Sequence, residues 1–272
     1  MHSEAATGFT ATLIEKDYHC SLILQHLFGK ETPLVFKGGT CLSKVYVDFN
    51  RLSEDLDFVT SAPVDTTRTQ RRDAIEPIKG ILEELPNTVP GLMISKAFQG
   101  HNESRQYIGH LEYPSAIIDK RERIKIEVGL REPLIIPSES VKARTVATNP
   151  FSLQSLLPEF TVNVMTLEEI YAEKFRAALT RREPAIRDFF DLFYAVIRGG
   201  LNTGTPEFIT MVRTKILVPG NDPVDISTER RRDLERQVNG QLKPVLRPGD
   251  FALFDLGEAF DIVCAVAEVI SG

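Results

Sequence analysis

The chain has 272 residues, 42% hydrophobic and 26% charged, and a formal net charge of −6. This length allows one large domain or two modest ones with ample core, and the acidic balance excludes a general polyanion binder while leaving room for local basic clusters. No apolar run approaches the ~18 residues of a membrane span, and the first residues lack the basic start and apolar core of a secretion signal. Three scattered cysteines, Cys20, Cys41 and Cys264, fit a reducing cytoplasm better than a disulfide framework.

Helical spacing of Leu13, Ile14, Leu22, Ile23, Leu24 and Leu27 predicts a helix over 10–28, ended by Gly29. Leu34, Val35 and Phe36 read as a strand end. Lys37, Gly38, Gly39 and Thr40 then turn the chain into a helix over 41–46. Two glycines at a strand-to-helix turn let the backbone approach a ligand, and the free N–H groups of the helix start suit a phosphate. Thr40 reads as the N-cap, and Lys44, one turn further on, stands within reach of the same anion.

Beyond Arg51 and Ser53 the period changes to two. Leu56 and Phe58 face one way, Asp55 and Asp57 the other. Carboxylates on strand residues with Cα atoms roughly 7 Å apart repel unless they share a cation. A hard divalent metal such as magnesium, bound also by substrate phosphates, resolves the conflict. Taken singly, a Gly-Gly turn is most often only a turn and D-x-D only a polar strand face. Their adjacency, with Lys44, Arg51 and Ser53 between them, favours metal-assisted phosphoryl or nucleotidyl transfer, although Arg51 and Ser53 could equally just hold the connecting loop. Pro63 is expected to close the second strand.

A charged helix follows over about 67–85, with Ile75, Ile78, Ile81, Leu82 and Leu85 on one side, and then strands near 92–99, 105–113 and 122–130. In the last, Ile124, Ile126 and Val128 face inward and Arg123, Lys125 and Glu127 the other way. If this strand pairs beside the segment 56–59, Glu127 becomes a third carboxylate at the metal; otherwise it belongs to an exposed polar face. Residues 131–160, rich in Pro and Ser, read as a connection, and 161–164 as one short strand. Everything after that reads as helix. Thr166 to Glu169 forms a capping-box pattern opening a helix that carries Glu173 and Lys174. Asp188 and Asp191 share a face of the next helix, and further helices are expected at 206–217, 227–242 and 255–270. Basic clusters stand at Arg68/Arg71/Arg72, 120–125, Arg181/Arg182 and 230–232. The division is an α/β part over 1–150 and a mainly helical part over 151–272, expected to contribute to the same cleft.

Five blocks in order, F-K-G-G-T-C-L-S-K, R-L-S-E-D-L-D-F, K-I-E-V, A-E-K-F-R-A-A-L and R-D-F-F-D-L, together resemble the AbiEii/AbiGii toxin family, which includes the mycobacterial MenT toxins. The resemblance covers roughly residues 10–200. It implies an α+β fold: a nucleotidyltransferase-like mixed β-sheet of the DNA polymerase β type with flanking helices, followed by a C-terminal helical bundle. It further implies transfer of a nucleoside monophosphate from NTP, with magnesium or manganese as cofactor, to an RNA acceptor such as a tRNA 3′ end, and a cognate antitoxin as partner. By that resemblance Lys37, Gly38, Gly39, Thr40, Lys44, Arg51 and Ser53 serve the nucleotide. Asp55, Asp57 and Glu127 serve the metal, and Lys174 neutralises triphosphate charge with Asp188 or Asp191 orienting it. Two other readings remain open from sequence: the same fold acting on a protein or small molecule, and a nucleotide-binding module working through a partner.

Overall fold

The computed structural model describes residues 2–60 and 66–271, with side chains from Glu4 onward; the strand end expected at Pro63 lies outside the described residues. Two units each enclose a core of their own, Met1–Met165 and Thr166–Gly272. In chain order the first contains α1 (His2–Thr7), α2 (Ala11–Phe28), β1 (Leu34–Lys37), α3 (Gly38–Cys41), β2 (Leu56–Thr60), α4 (Arg68–Glu83) and α5 (Leu85–Thr88). Five strands complete it: β3 (Met93–His101), β4 (Gln106–Pro114), β5 (Arg121–Gly129), β6 (Glu139–Ala143) and β7 (Phe160–Val164).

The seven strands form one mixed sheet in the order β3-β4-β5-β2-β1-β7-β6. β2 runs parallel to β5 and β1 parallel to β7; the remaining neighbours are antiparallel. Alternation on β5 does what the sequence pattern dictates, burying Ile124, Ile126 and Val128 and leaving Arg123, Lys125 and Glu127 on the opposite face. α4 buries Ile75, Ile78 and Leu82 and begins with a true capping box, in which the Thr67 hydroxyl accepts from Gln70 N and the Gln70 amide oxygen accepts from Thr67 N. All three cysteines are free thiols.

Three elements differ from the sequence reading. β6 lies inside the stretch read as a connection; only Ala143 of its five residues is buried, so no apolar alternation announces it. β7 starts one residue earlier than expected and draws residues 160–164 into the sheet. The glycines of the central turn also belong to α3 itself, with Gly38 at φ +76°, and the helix then widens into a π-helical turn over Leu42–Tyr46. Asp48 and Phe49 follow with left-handed φ of 47° and 55° and reverse the chain. Phe49 and Leu52 are pinned in a small core with Phe9, Ile14, Val146 and Ala147, which fixes the loop carrying Arg51 and Ser53.

The second unit is helical throughout its described residues: α6 (Leu167–Thr180), α7 (Ile186–Ile197), α8 (Pro206–Ile216), α9 (Thr228–Gln237), α10 (Pro248–Leu253) and α11 (Leu256–Ser271). α10 buries no side chain and so left no periodic trace in the sequence. The capping box expected at Thr166 does not form. Thr166 occupies the N-cap position, but its hydroxyl is buried without a hydrogen-bond partner, and Glu169 is drawn to Lys215 on α8 instead. A buried ammonium attracts a carboxylate more strongly than a backbone N–H does.

Candidate active site

Strand register builds the site. On β1, β2 and β5, Lys37 pairs with Asp57 and Asp57 with Glu127, and side chains of paired residues emerge on the same face. The pairing of β5 beside β2, on which the reading of Glu127 depended, is therefore present. Burial pushes the Asp57 carboxyl up to about 6, with Glu127 and Asp55 adding repulsion and Lys125 and Lys37 opposing it. Burial also works against the charge on Glu127. There Lys125, which donates to Oε2 at 2.9 Å, and Gln106, which donates to Oε1, outweigh it and hold the group below the usual carboxylate range. Lys125 stays protonated despite its burial because Glu127, Asp57 and Asp55 surround it.

The Gly-Gly turn closes on this row. A Cβ on Gly38 would stand 2.7 Å from Asp57 Oδ2, and one on Gly39 would collide with Arg51 Nη2 and come within 3.3 Å of Ser53 Oγ. Only glycine lets the turn lie against both the carboxylate and the guanidinium. Thr40 is not the N-cap, a position that falls to Lys37. Its buried hydroxyl donates to the Asp55 carbonyl at 2.5 Å and ties α3 to the segment leading into β2. Gly38, Gly39, Thr40, Arg51, Ser53, Asp55 and Asp57 are thus brought together, with Lys37 and Glu127 beside them.

Lys44 is not. Its ammonium is fully buried, donating to Asp17 Oδ1 at 2.5 Å, Ser21 Oγ at 2.6 Å and the Asp17 carbonyl at 3.1 Å. The expectation of a phosphate contact assumed regular α-helical spacing. Lys44 lies instead in the π-helical turn and serves α2. Asp17, which sequence reasoning missed, also accepts from Thr145 Oγ1 at 2.6 Å and Val146 N at 2.9 Å, joining α2, the turn and the 145–146 segment. A single Asp on an amphipathic helix carries no sequence signal for such a role. Gln106, a lone amide at the start of β4, was missed as well.

The donor set suits a hard divalent cation at Asp55 and Asp57, since Asp57 is a crowded carboxylate that makes no hydrogen bond or ion pair of its own among the described residues. Glu127 does not complete a three-carboxylate cage: its two oxygens are engaged by Lys125 and Gln106, and no group of three acidic, His or Cys side chains among the described residues could hold a metal ion. The Asp55/Asp57 pair fits magnesium or manganese only if substrate phosphates supply further ligands.

In the helical unit, Lys174 Nζ lies 2.9 Å from Asp188 Oδ1 and 2.7 Å from Asp191 Oδ2, and Arg181 Nη1 lies 3.0 Å from Asp188 Oδ2. The spacing of three that put both aspartates on one helix face aims them at one ammonium. Of the basic clusters, Arg71 and Arg230 are buried, Arg71 donating to the Thr66 and Glu103 carbonyls and Arg230 to those of Ala178 and Arg181 and to Asp225 Oδ2 at 3.3 Å.

JHP933 from Helicobacter pylori is 17% identical, with a TM-score of 0.53 over 96% of this chain and 93% of that one. An H. pylori protein provisionally described as a nucleotidyltransferase is also 17% identical, with a TM-score of 0.53 over 96% of each chain. At that identity both show the fold alone. No curated protein matches. No helix among the described residues is long and apolar enough to cross a membrane. A family model for the nucleotidyl transferase AbiEii toxins of type IV toxin–antitoxin systems matches residues 22–263, a span that takes in the Gly-Gly turn, the aspartate pair and the Lys174 cluster alike. With the match running through both units, the chain belongs to the AbiEii nucleotidyltransferase toxin family.

Proposed function

We propose that this protein transfers a nucleoside monophosphate from an NTP to an RNA acceptor, the 3′ end of a tRNA, and so blocks translation in the cytoplasm. The observation that carries this reading is the closure of the Gly38–Gly39 turn on Asp57, a carboxylate held at about 6 in a row with Lys37 and Glu127. A magnesium or manganese ion, when bound, supplies Lewis-acid neutralisation of phosphate charge, and Asp55 and Asp57 are the residues that would hold it.

The chain's own groups do the rest. The α3 backbone at Gly38 and Gly39 receives phosphate oxygens, with the Arg51 guanidinium and the Ser53 hydroxyl alongside. Lys37 offsets negative charge next to Asp57. The acceptor oxygen bonds to the α-phosphorus as its proton passes to water, and pyrophosphate departs with the electrons of the broken Pα–O bond. Lys174, oriented by Asp188 and Asp191, joins the proposal from the family pattern, with triphosphate charge as its target.

The test is incubation of purified protein with magnesium, total tRNA and each α-labelled NTP in turn, with Asp57→Asn as control. Label in tRNA that disappears in the variant is the expected result and identifies the nucleotide at once. Label on protein, or on nothing while NTP still binds, would overturn the RNA acceptor. An antitoxin partner follows from membership of the family; direct contact with this chain is a separate question that co-purification answers.

A further inference from the structure

A second row of side chains crosses the same face of the sheet beside the carboxylates. Register pairs Lys96 on β3 with His110 on β4, and His110 with Lys125 on β5. Leu56 pairs with Ile126, so the residues before them, Asp55 and Lys125, stand side by side and Asp55 lies at the inner end of this row. β3 is the edge strand, so the row runs from the aspartate pair to the rim of the sheet. Three strand spacings of ~4.8 Å make that run about 14 Å, a length that a few nucleotides cover.

The two faces of these strands differ. One is covered by α4, whose Lys79, Leu82 and Glu83 line a small cavity with Leu111 and Ile126; Lys96 and His110 border it too, the Lys96 carbonyl facing Gly109. On the other, Lys96 and Arg123 are exposed and His110 and Lys125 half-buried. Beyond Asp55 and Asp57, the acidic residues there are already engaged: Glu112 by Arg123 at 3.2 Å, and Glu127 by Lys125 and Gln106. Lys96 has no ion-pair partner among the described residues. What this face offers a visitor is positive charge. His110 reports the same field, since after burial its charge is opposed by Arg123, Lys96 and Lys125 in turn. An anion over the row would relieve that repulsion.

We propose that this row is the track of the acceptor strand, with the sugar-phosphate backbone of an RNA lying across β5, β4 and β3 over Lys125, His110 and Lys96, and its reactive end at Asp55 and Asp57. The inference rests on the RNA acceptor proposed above and adds where that RNA lies. The one aromatic ring in the row is the half-buried His110 imidazole, so backbone charge dominates, and binding is tolerant of sequence and sensitive to salt.

The test uses wild type, Lys96→Ala and Lys96→Glu, with total tRNA as acceptor and a fluorescein-labelled single-stranded oligoribonucleotide as binding probe. Lys96 is exposed and unpaired, so both variants should keep the wild-type unfolding midpoint. Lys96→Ala is expected to lower the slope of log affinity against log salt by about 0.7, the share of one phosphate contact to a single strand, and to raise KM for tRNA about fivefold. Lys96→Glu should raise it further, and KM for NTP should not move. If wild type labels tRNA while both variants match it in slope and in KM for tRNA, the track is wrong and the RNA acceptor stands. If wild type neither binds the probe nor labels tRNA, the acceptor reading fails and the track with it.

Discussion

Both units bury compensated charge, Lys44 with Asp17 in the sheet unit and Lys174 and Lys215 with their carboxylates in the helical one, and the Asp57 row departs from that pattern. In the helical unit Lys215 is held by Glu169 at 2.6 Å and Glu173 at 3.3 Å, and Lys174 by Asp191 and Asp188 at 2.7 and 2.9 Å. Each ammonium there is closed off by carboxylates of the same unit. In the sheet unit Asp57 sits among Glu127, Asp55, Lys37 and Lys125 with no ion pair at contact distance among the described residues. The first arrangement is self-compensated. The second leaves a destabilised carboxylate that a cation would satisfy, which is the physical mark of a site rather than of a scaffold.

Asp57→Asn should widen that contrast most. Transfer should fall by roughly 10³-fold, the scale for losing a principal group that stabilises transition-state charge. Stability should move the other way. The folded-state pKa of about 6 lies above the unfolded value near 3.9, so the folded protein binds the extra proton between those values. Stability therefore falls as pH rises through about 4 to 6, and the penalty is complete above about 6, on the order of 2–3 kcal/mol. Urea midpoints at pH 4 and pH 7 should accordingly show Asp57→Asn more stable than wild type only at the higher pH. A variant less stable at pH 7 would mean that Asp57 is already compensated and that the contrast fails.

Lys215→Met attacks the self-compensated side. It leaves Glu169 and Glu173 buried without their cation and should cost about 3–5 kcal/mol in urea unfolding. Lys174→Met should destabilise by a similar mechanism, and here the comparison can be sharpened. Pairing it with Asp191→Leu removes the shorter of the two ion pairs and leaves Asp188 to Arg181, so part of the lost stability should return. A double variant that regains stability and still transfers nothing would give the Lys174–Asp191 pair a chemical role. Full activity in the same protein would confine it to structure.

The same contrast explains what could be read beforehand. Strand alternation exposed the faces of β2 and β5, because residues buried on one side and charged on the other leave a period of two; Asp57 and Glu127 were legible for that reason. The register that sets them side by side was a condition rather than a reading, since parallel pairing joins segments some seventy residues apart. Lys44 was misjudged because a π-helical turn leaves no mark in composition. Glu169 and Thr166 were misjudged because a capping-box pattern records local possibility only, and the competing partner, Lys215, lies 46 residues away. Local periodicity carried the elements; long-range charge pairing decided which of the named residues stayed at the site.

Gly39→Ala should have a smaller effect and acts at the boundary between scaffold and site. The new methyl collides with the Arg51 guanidinium, which is buried and not simply able to swing into solvent. Overpacking of this kind costs about 1–3 kcal/mol. KM for NTP should rise about tenfold if displaced Arg51 no longer meets the phosphates, following the worth of one charge-assisted hydrogen bond. An unchanged KM with lowered stability would make Arg51 a loop anchor, the bland alternative for that residue.

The smallest effects come from two threonines that begin helices in the two units. Thr67 caps α4 through its hydroxyl, so Thr67→Val should cost about 1 kcal/mol. Thr166 holds the same position on α6, yet its hydroxyl is buried without a partner because Glu169 has turned to Lys215. Thr166→Val keeps the shape and removes the unsatisfied group, so it should be neutral or stabilising by up to about 1 kcal/mol. The coupling is also testable. In Lys215→Met, Glu169 loses its cation and can turn back toward the N-terminus of α6, where Thr166 would begin to matter. Thr166→Val should then become destabilising in the Lys215→Met background, reversing its sign. Equal effects of Thr166→Val in both backgrounds would show that the cap and the buried ion pair do not compete for Glu169.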